Sequence, residues 1–408
     1  MRGKVTQHKT LPGRVMPGKG KPGKAQRGKK TGGGPGRAVL RFFVRAAQVF
    51  LITLLALALV VGAKALQNRR DVVEVPPFEA YLTALLAELG AAGTPGAELI
   101  IRDPYAVPGQ WYKVQLHAHT DRSIDGRWSV EEALAAYAAA GYHFVALSDH
   151  DQVTRPDAVP PGLVVVPAEE NTVSFPFWPL GHHAILLFID EHIRHGSARE
   201  RFDAALAQGA VVSAAHPNWI GNLGSGRWEM RHLMAAPQIT LMEVWNPHSD
   251  SRMDTDTWHE TAVRRGPGMP VWAVAVDDAH YLAMADQAWT MVKAEAQTLP
   301  ALREALLRGS LYPSTGPRVE FGAVDGEIVV APPESSAQPS GEPVPEYAVA
   351  FVAASGAVVA EHRGPLPARY RPRGDEGFVR VELVDLATGG RAWSQPFWIM
   401  GAGANGLP

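Results

Sequence analysis

Tyr112-Lys-Val-Gln-Leu116-His117-Ala118-His119-Thr120-Asp-Arg122-Ser123-Ile124-Asp125-Gly126 begins as a short apolar strand and ends in a glycine turn. In an extended chain, side chains two residues apart point the same way, so His117 and His119 share a face. Two imidazoles on one face of a strand end are placed to grip a metal ion. Asp125, beside Gly126, can bring a carboxylate back to the same place.

The same device recurs along the chain. Ala146-Leu147-Ser148-Asp149-His150 ends a second apolar strand, and Glu169-Glu170 follow the run Leu163–Val166. His182-His183 precede Ala184–Phe188, His216-Pro217 follow Val211–Ala215, and Asp277-Asp278-Ala279-His280 follow Val271–Val276. Thirteen of the fifteen histidines lie between His117 and His280. Helical stretches at Val130–Ala140, Ala198–Gln208 and Leu299–Leu307 alternate with these strands, which predicts an α/β fold with parallel strands. The chain has no cysteine, so disulfides, thiolate zinc sites and cysteine nucleophiles are excluded. Ligands must be His, Asp and Glu, a mixture that suits Zn²⁺, Mn²⁺ or Fe²⁺ better than Mg²⁺ or Ca²⁺. The candidates are too many for one ion. They imply two or three divalent transition metals with a bridging carboxylate, a site that acidifies water and clamps the oxygens of a displacement at phosphorus.

This order of motifs resembles the PHP family, named for its polymerase and histidinol-phosphatase members, over roughly Trp111–Pro317. The matching residues are His117-x-His119-Thr120 with Ser123 and Asp125-Gly126, then Asp149-His150, Pro167-Ala168-Glu169-Glu170, His216-Pro217 and Asp277-Asp278-Ala279-His280. The resemblance implies a distorted (β/α)7 barrel whose metals are held by His117, His119, Asp125, His150, Glu170, His183, His216, Asp278 and His280. It favours Glu170 over Glu169 and, by spacing, His183 over His182. Asp277 stands where the family has serine. The expected activity is phosphate-ester hydrolysis, with Asp149 orienting a ligand histidine and Arg122, Arg227 and Asn218 contacting phosphate or the leaving group. Strands after Pro317 predict a small C-terminal β-sandwich and look like the extra domain of the carbaryl-hydrolase-like branch. That likeness admits a carboxyl-ester, carbamate or amide substrate instead. A third reading is a non-catalytic surface-binding protein.

Outside this region the charge is divided. The net charge of −2 hides 16 basic and no acidic residues in residues 1–70, against 23 basic and 41 acidic in the rest. Residues 1–45 read as a disordered basic cytoplasmic tail. Residues 46–66 read as a transmembrane helix, and the basic excess before it predicts a cytoplasmic N-terminus with the body outside. The remaining expected divisions are a neck at 67–108, the metallohydrolase domain at 109–317, the sandwich at 318–400 and a tail at 401–408. The acidic body predicts a small phosphorylated or ester substrate and no nucleic-acid partner. Phe175-Pro-Phe177-Trp178 and Trp219-Ile220 are candidates for an apolar or lipid-facing mouth.

Overall fold

A computed structural model describes residues 35–68, 73–89, 99–173, 181–221, 225–333 and 343–401. Most of the basic tail, parts of the neck, the Phe175–Trp178 segment and residues 402–408 lie outside the described residues. The chain falls into two units, Met1–Ala58 and Leu59–Pro408.

The first helix, α1 (Pro35–Asn68), opens with proline at its first position, where the fixed φ suits a helix and the missing N–H costs nothing. Its stretch Val39–Val60 has a mean hydropathy of 2.2 and is long and apolar enough to cross a membrane. It starts earlier than residue 46 because Val39, Leu40, Phe42, Phe43 and Val44 extend the apolar surface around Arg41 and Arg45.

The second unit is a mixed α/β fold. After α2 (Phe78–Glu88) come β1 (Leu99–Arg102) and β2 (Gln110–Gln115). Then follow α3 (Val130–Ala139), β3 (Phe144–Leu147), β4 (Val164–Thr172), β5 (His183–Leu187), α4 (Ala198–Ala207) and β6 (Val211–Ala214). Next are α5 (Met230–Ala235), β7 (Ile239–Trp245), α6 (Ser251–Arg265), β8 (Trp272–Ala275), β9 (Trp289–Ala294), α7 (Leu299–Arg308) and β10 (Leu311–Ser314). Ser129 and Ser197 start α3 and α4 with reciprocal capping boxes, through Glu132 and Glu200. Each cap contributes about 1 kcal/mol.

Strands β2, β3 and β4 are parallel neighbours, as are β6, β7 and β8. Between them β5 runs antiparallel to both β4 and β6. The reversal matters for chemistry: it brings the first residue of β5, His183, opposite Thr172 at the end of β4. The segment after β8 returns to the end of β2, where Ala118 bridges Ala279 and His119 N–H donates to Ala279 O at 2.9 Å.

One apolar cluster packs Val166 and Ala168 of β4, Ile185 and Leu187 of β5, Leu241 of β7, and Val274 and Val276 at β8. Continuing each face in steps of two leads to Glu170, His183, Glu243 and Asp278. The strand faces that bury the core therefore run directly into the site.

The C-terminal strands are β11 (Glu320–Val324), β12 (Glu327–Ala331), β13 (Tyr347–Ala353), β14 (Val358–Gly364), β15 (Ala368–Tyr370), β16 (Phe378–Asp385), β17 (Arg391–Trp393) and β18 (Phe397–Gly401). Strands β11, β12 and β15 form a small antiparallel sheet whose Phe321, Ile328 and Val330 share a core with Val349, Phe351, Val381 and Leu383. The other strands belong to the large sheet, joined to β10 by the pairing of Ser314 with Ala392. No linker separates this region from the metal-site half, because Gln395 bonds the backbone of Ala273 and Leu311. The neck also contributes: β1 pairs with β18 along its whole length.

Candidate metal centre

Four ligand atoms converge where β2, β4 and β8 end. His117 Nε2 lies 3.1 Å from His119 Nε2, 3.2 Å from Glu170 Oε2 and 3.2 Å from Asp278 Oδ1. His119 Nε2 is 3.1 Å from each of the same two oxygens. The far nitrogen of His117, Nδ1, donates to Glu243 Oε1 at 2.8 Å, so in the neutral ring Nε2 presents a lone pair. His119 Nδ1 is held 3.0 Å from Ser123 Oγ. Asp278 Oδ1 is buried and accepts no hydrogen bond. Electron-rich atoms this close repel unless a proton or a metal cation sits between them. Ligands about 2.0–2.2 Å from one ion stand about 2.8–3.6 Å apart, from octahedral to tetrahedral arrangement, and these separations fall within that range.

Glu170 extends the cluster. Its other oxygen, Oε1, lies 2.7 Å from His183 Nδ1 and 2.9 Å from His216 Nε2, and Oε2 is 3.3 Å from His150 Nδ1. A further set, His119, Asp125, His150 and His280, places one ligand atom each within 4.8 Å of the others. Asp125 Oδ2 is 3.2 Å from His150 Nε2 and 3.4 Å from His280 Nε2. Gly126 makes that return possible, since a Cβ there would stand 1.8 Å from Thr120 O. His216 and Asp278 both hold positive φ, 27° and 45°. For non-glycine residues that costs about 1–3 kcal/mol each, strain of the kind that gathers at functional sites.

The electrostatics agree. Burial favours neutral His117, yet Asp278, Glu243 and Glu170 together push its pKa well above the ordinary imidazole value. His119, His216 and His280 are raised against burial by the same carboxylates and Asp125. Burial opposes ionisation of Glu170 and Asp278, but the surrounding imidazoles hold both well below the usual carboxylate range. The pocket gathers buried carboxylates and imidazoles whose nitrogens, once deprotonated, can bind a cation, which suits divalent transition metals and a metal-dependent hydrolase.

No family model and no curated protein matches the chain. Several solved structures are similar to parts of it, among them the following. A two-domain protein from Bacteroides vulgatus, containing a predicted PHP-like metal-dependent phosphoesterase, is 16% identical with a TM-score of 0.43. That match covers 72% of this chain and 96% of the other. PsfC from Pseudomonas syringae is 12% identical over 48% of this chain and 88% of its own, with a TM-score of 0.35. The lesion-specific endonuclease PfuEndoQ from Pyrococcus furiosus is also 12% identical, over 48% of this chain and 56% of its own, with a TM-score of 0.32.

All nine expected ligands meet at one cleft or its floor. The choice between neighbours follows from strand alternation: Glu169 faces away, bonded to Asn171, His192 and the Ile193 N–H, while Glu170 faces inward. His182 likewise turns from the cluster and packs on Trp228 and His232. The expected catalytic contacts are placed differently. Asp149 orients no imidazole among the described residues; it accepts from Thr120 N–H and Ser123 N–H and from the hydroxyls of Thr120 and Thr154. It fixes the turn that carries His119 and Asp125, because four donors converge on its buried carboxylate. Arg122 and Arg227 are exposed and neither lines the cleft; Arg122 lies nearest Asp121, at 3.9 Å. Asn218 spends its amide on Asp254 and Thr257. Asp149→Asn should lower stability by about 2–4 kcal/mol, since an amide nitrogen would meet donors, and thermal unfolding of the full chain would read the loss.

Three residues escaped the sequence reading. Glu243 holds His117 Nδ1, the His216 N–H at 2.7 Å and the Asn246 amide at 2.8 Å. Its signal was a single acid in the apolar strand Ile239–Trp245. Asn246 also donates to Asp278 Oδ2, at 3.1 Å. His248 borders the cleft beside Asp278 and His280; it follows the strand as an isolated histidine, which carries little signal.

Proposed function

We propose that the chain is a multinuclear metal-dependent phosphoesterase, built on a distorted barrel spanning β2 to β10 with a C-terminal sandwich, and held at a membrane by α1 with its body outside the cytoplasm. The observation that carries the hydrolase reading is Glu170, whose two oxygens face two different imidazole sets. A carboxylate so placed could be shared between neighbouring cation sites, which would supply charge for the attacking and leaving oxygens of a displacement at phosphorus. His117, His119, Glu170 and Asp278 would hold one ion, and His150, His183, His216, Asp125 and His280 the neighbouring ones. The bound ions supply Lewis acidity toward ester oxygens and make water acidic enough to ionise near neutral pH.

The chain's own groups prepare that site. Glu243 and Ser123 fix the outer nitrogens of His117 and His119, which keeps both Nε2 lone pairs aimed inward. Trp219 packs on His183 and His216 and shields one wall from water. His248 is exposed and Asp125 and His280 are half-buried at the cleft, so a substrate would meet them as it enters. The basic excess before α1 supports the outward orientation of the body.

The test is the full chain loaded with Mn²⁺, Zn²⁺ or Fe²⁺ and offered phosphate monoesters, phosphate diesters, carboxyl esters and carbamates side by side. Metal-dependent turnover confined to phosphate esters is expected; turnover confined to carboxyl or carbamate esters would refute the substrate assignment. A pH dependence follows as well. Each proton on a ligand imidazole occupies the lone pair a metal needs. Because His117, His119, His216 and His280 are raised above 6.5, proton competition begins at higher pH than for ordinary imidazoles. Metal occupancy should therefore be complete in mild alkali and fall steadily as pH drops through and below neutrality, as metal analysis after equilibrium dialysis would show.

A further inference from the structure

Outside α1, the three most exposed large apolar side chains among the described residues are Ile220 (78%), Ile124 (76%) and Leu282 (65%). Single exposed apolar residues need no explanation, but each of these three stands within two residues of one that lines the cleft. Ile220 follows Trp219, Ile124 precedes Asp125, and Leu282 lies two residues past His280, all three being cleft residues. Tyr281, between His280 and Leu282, is also exposed.

The loops that carry them are tied to the metal centre. Arg127 N–H donates to His280 O at 2.8 Å, and Asp125 lies against His280, which sets the Ile124 loop beside the Tyr281–Leu282 turn. Trp219 anchors the Ile220 loop on His183 and His216. Charged groups complete the rim: on the Ile124 loop Arg122 is exposed 3.9 Å from the exposed Asp121, and Arg127 is exposed with its guanidinium 6.0 Å above the Tyr281 ring. Apolar, aromatic and basic side chains together are the composition of a surface that meets anionic lipid. The same chain carries a helix apolar enough to cross a membrane.

We infer that this rim seats the apolar part of an anionic phospholipid, so that the substrate is a membrane-borne phosphate ester. The chains lie against Ile124, Ile220 and Leu282, Arg122 and Arg127 face the anionic surface, and the phosphate reaches the cleft. This rests on the phosphoesterase reading for its chemistry but not for its docking, and the two are tested separately.

Because the chain has no cysteine, Ile220→Cys and Leu282→Cys each provide a single labelling site in the full chain. Val358→Cys, on the C-terminal strand β14, serves as the control. Each variant carries an environment-sensitive fluorophore and is reconstituted into phosphatidylcholine vesicles with and without phosphatidic acid. Blue-shifted emission from both rim labels when phosphatidic acid is present, with the Val358→Cys label unmoved, is expected. Rim labels that behave like the control in both vesicles would overturn the docking.

In parallel, Ile124→Ser, Ile220→Ser and Leu282→Ser are combined and kcat/KM is measured for long-chain phosphatidic acid and for a short soluble phosphate ester. The ratio of the two should fall about tenfold or more, the loss expected from apolar contacts worth about 1.4 kcal/mol. An unchanged ratio contradicts the substrate class. Shifted labels in a chain that hydrolyses no phosphate ester would uphold lipid docking and reject the phosphoesterase reading.

Discussion

Glu170→Gln is expected to strip the full chain of most of its divalent metal and to lower phosphate-ester hydrolysis on the order of 10³-fold, the loss that follows from about 4 kcal/mol. The side chain keeps its shape in this variant and loses its charge. Five imidazoles lie within 3.3 Å of the Glu170 oxygens, more than around any other carboxylate among the described residues. Without the carboxylate the negative charge is gone, and a neutral amide nitrogen replaces one of the two oxygens, facing either the His117, His119 and His150 set or the His183 and His216 set. The effect should appear first in metal stoichiometry and then in rate. A variant that kept full metal content and full activity would remove Glu170 from the centre.

Glu243→Gln is the second large effect, and it acts without touching the cleft. Glu243 accepts from the His117 ring, from the His216 N–H and from the Asn246 amide. A glutamine has one acceptor oxygen, so one of these donors would meet an amide N–H. The His117 ring would lose its fixed tautomer or the His216 backbone its anchor, and metal affinity should fall about 10–100-fold. A merely structural role would lower thermal stability alone. The distinguishing readout is metal affinity measured at a temperature where the variant is fully folded, with restoration by raised metal concentration. Unchanged affinity there would make Glu243 a packing residue.

Local pattern carried much of the site. Period-2 alternation aligned His117 with His119, while the family resemblance favoured Glu170, which strand alternation then turns inward and Glu169 outward. What local pattern could not carry depends on tertiary arrangement. His183 reaches the centre because β5 runs against its neighbours, a reversal that no spacing in Ala184–Phe188 announces. Asp149 read as a partner for histidine from its place beside His150, whereas folding delivers Thr120, Ser123 and Thr154 to it. Asp277, an odd residue at the family's serine position, accepts the N–H groups of Asp286, Gln287 and Ala288 and so anchors the loop behind His280. Burial pushes its pKa up to about 6 against those bonds. The expected boundary near residue 317 also differs, since the C-terminal strands share a sheet with β10.

The central claim is that one buried His, Asp and Glu cluster holds several metal ions and uses them to hydrolyse esters. Its most direct test is metal analysis of the full chain after exhaustive chelation and reloading, with phosphate-ester turnover followed in the same samples. The account predicts about two or three divalent ions per chain after reloading, with turnover absent in the chelated protein and restored in step with occupancy. A reloaded chain that binds less than one ion, or that turns over phosphate ester equally well without metal, would contradict it.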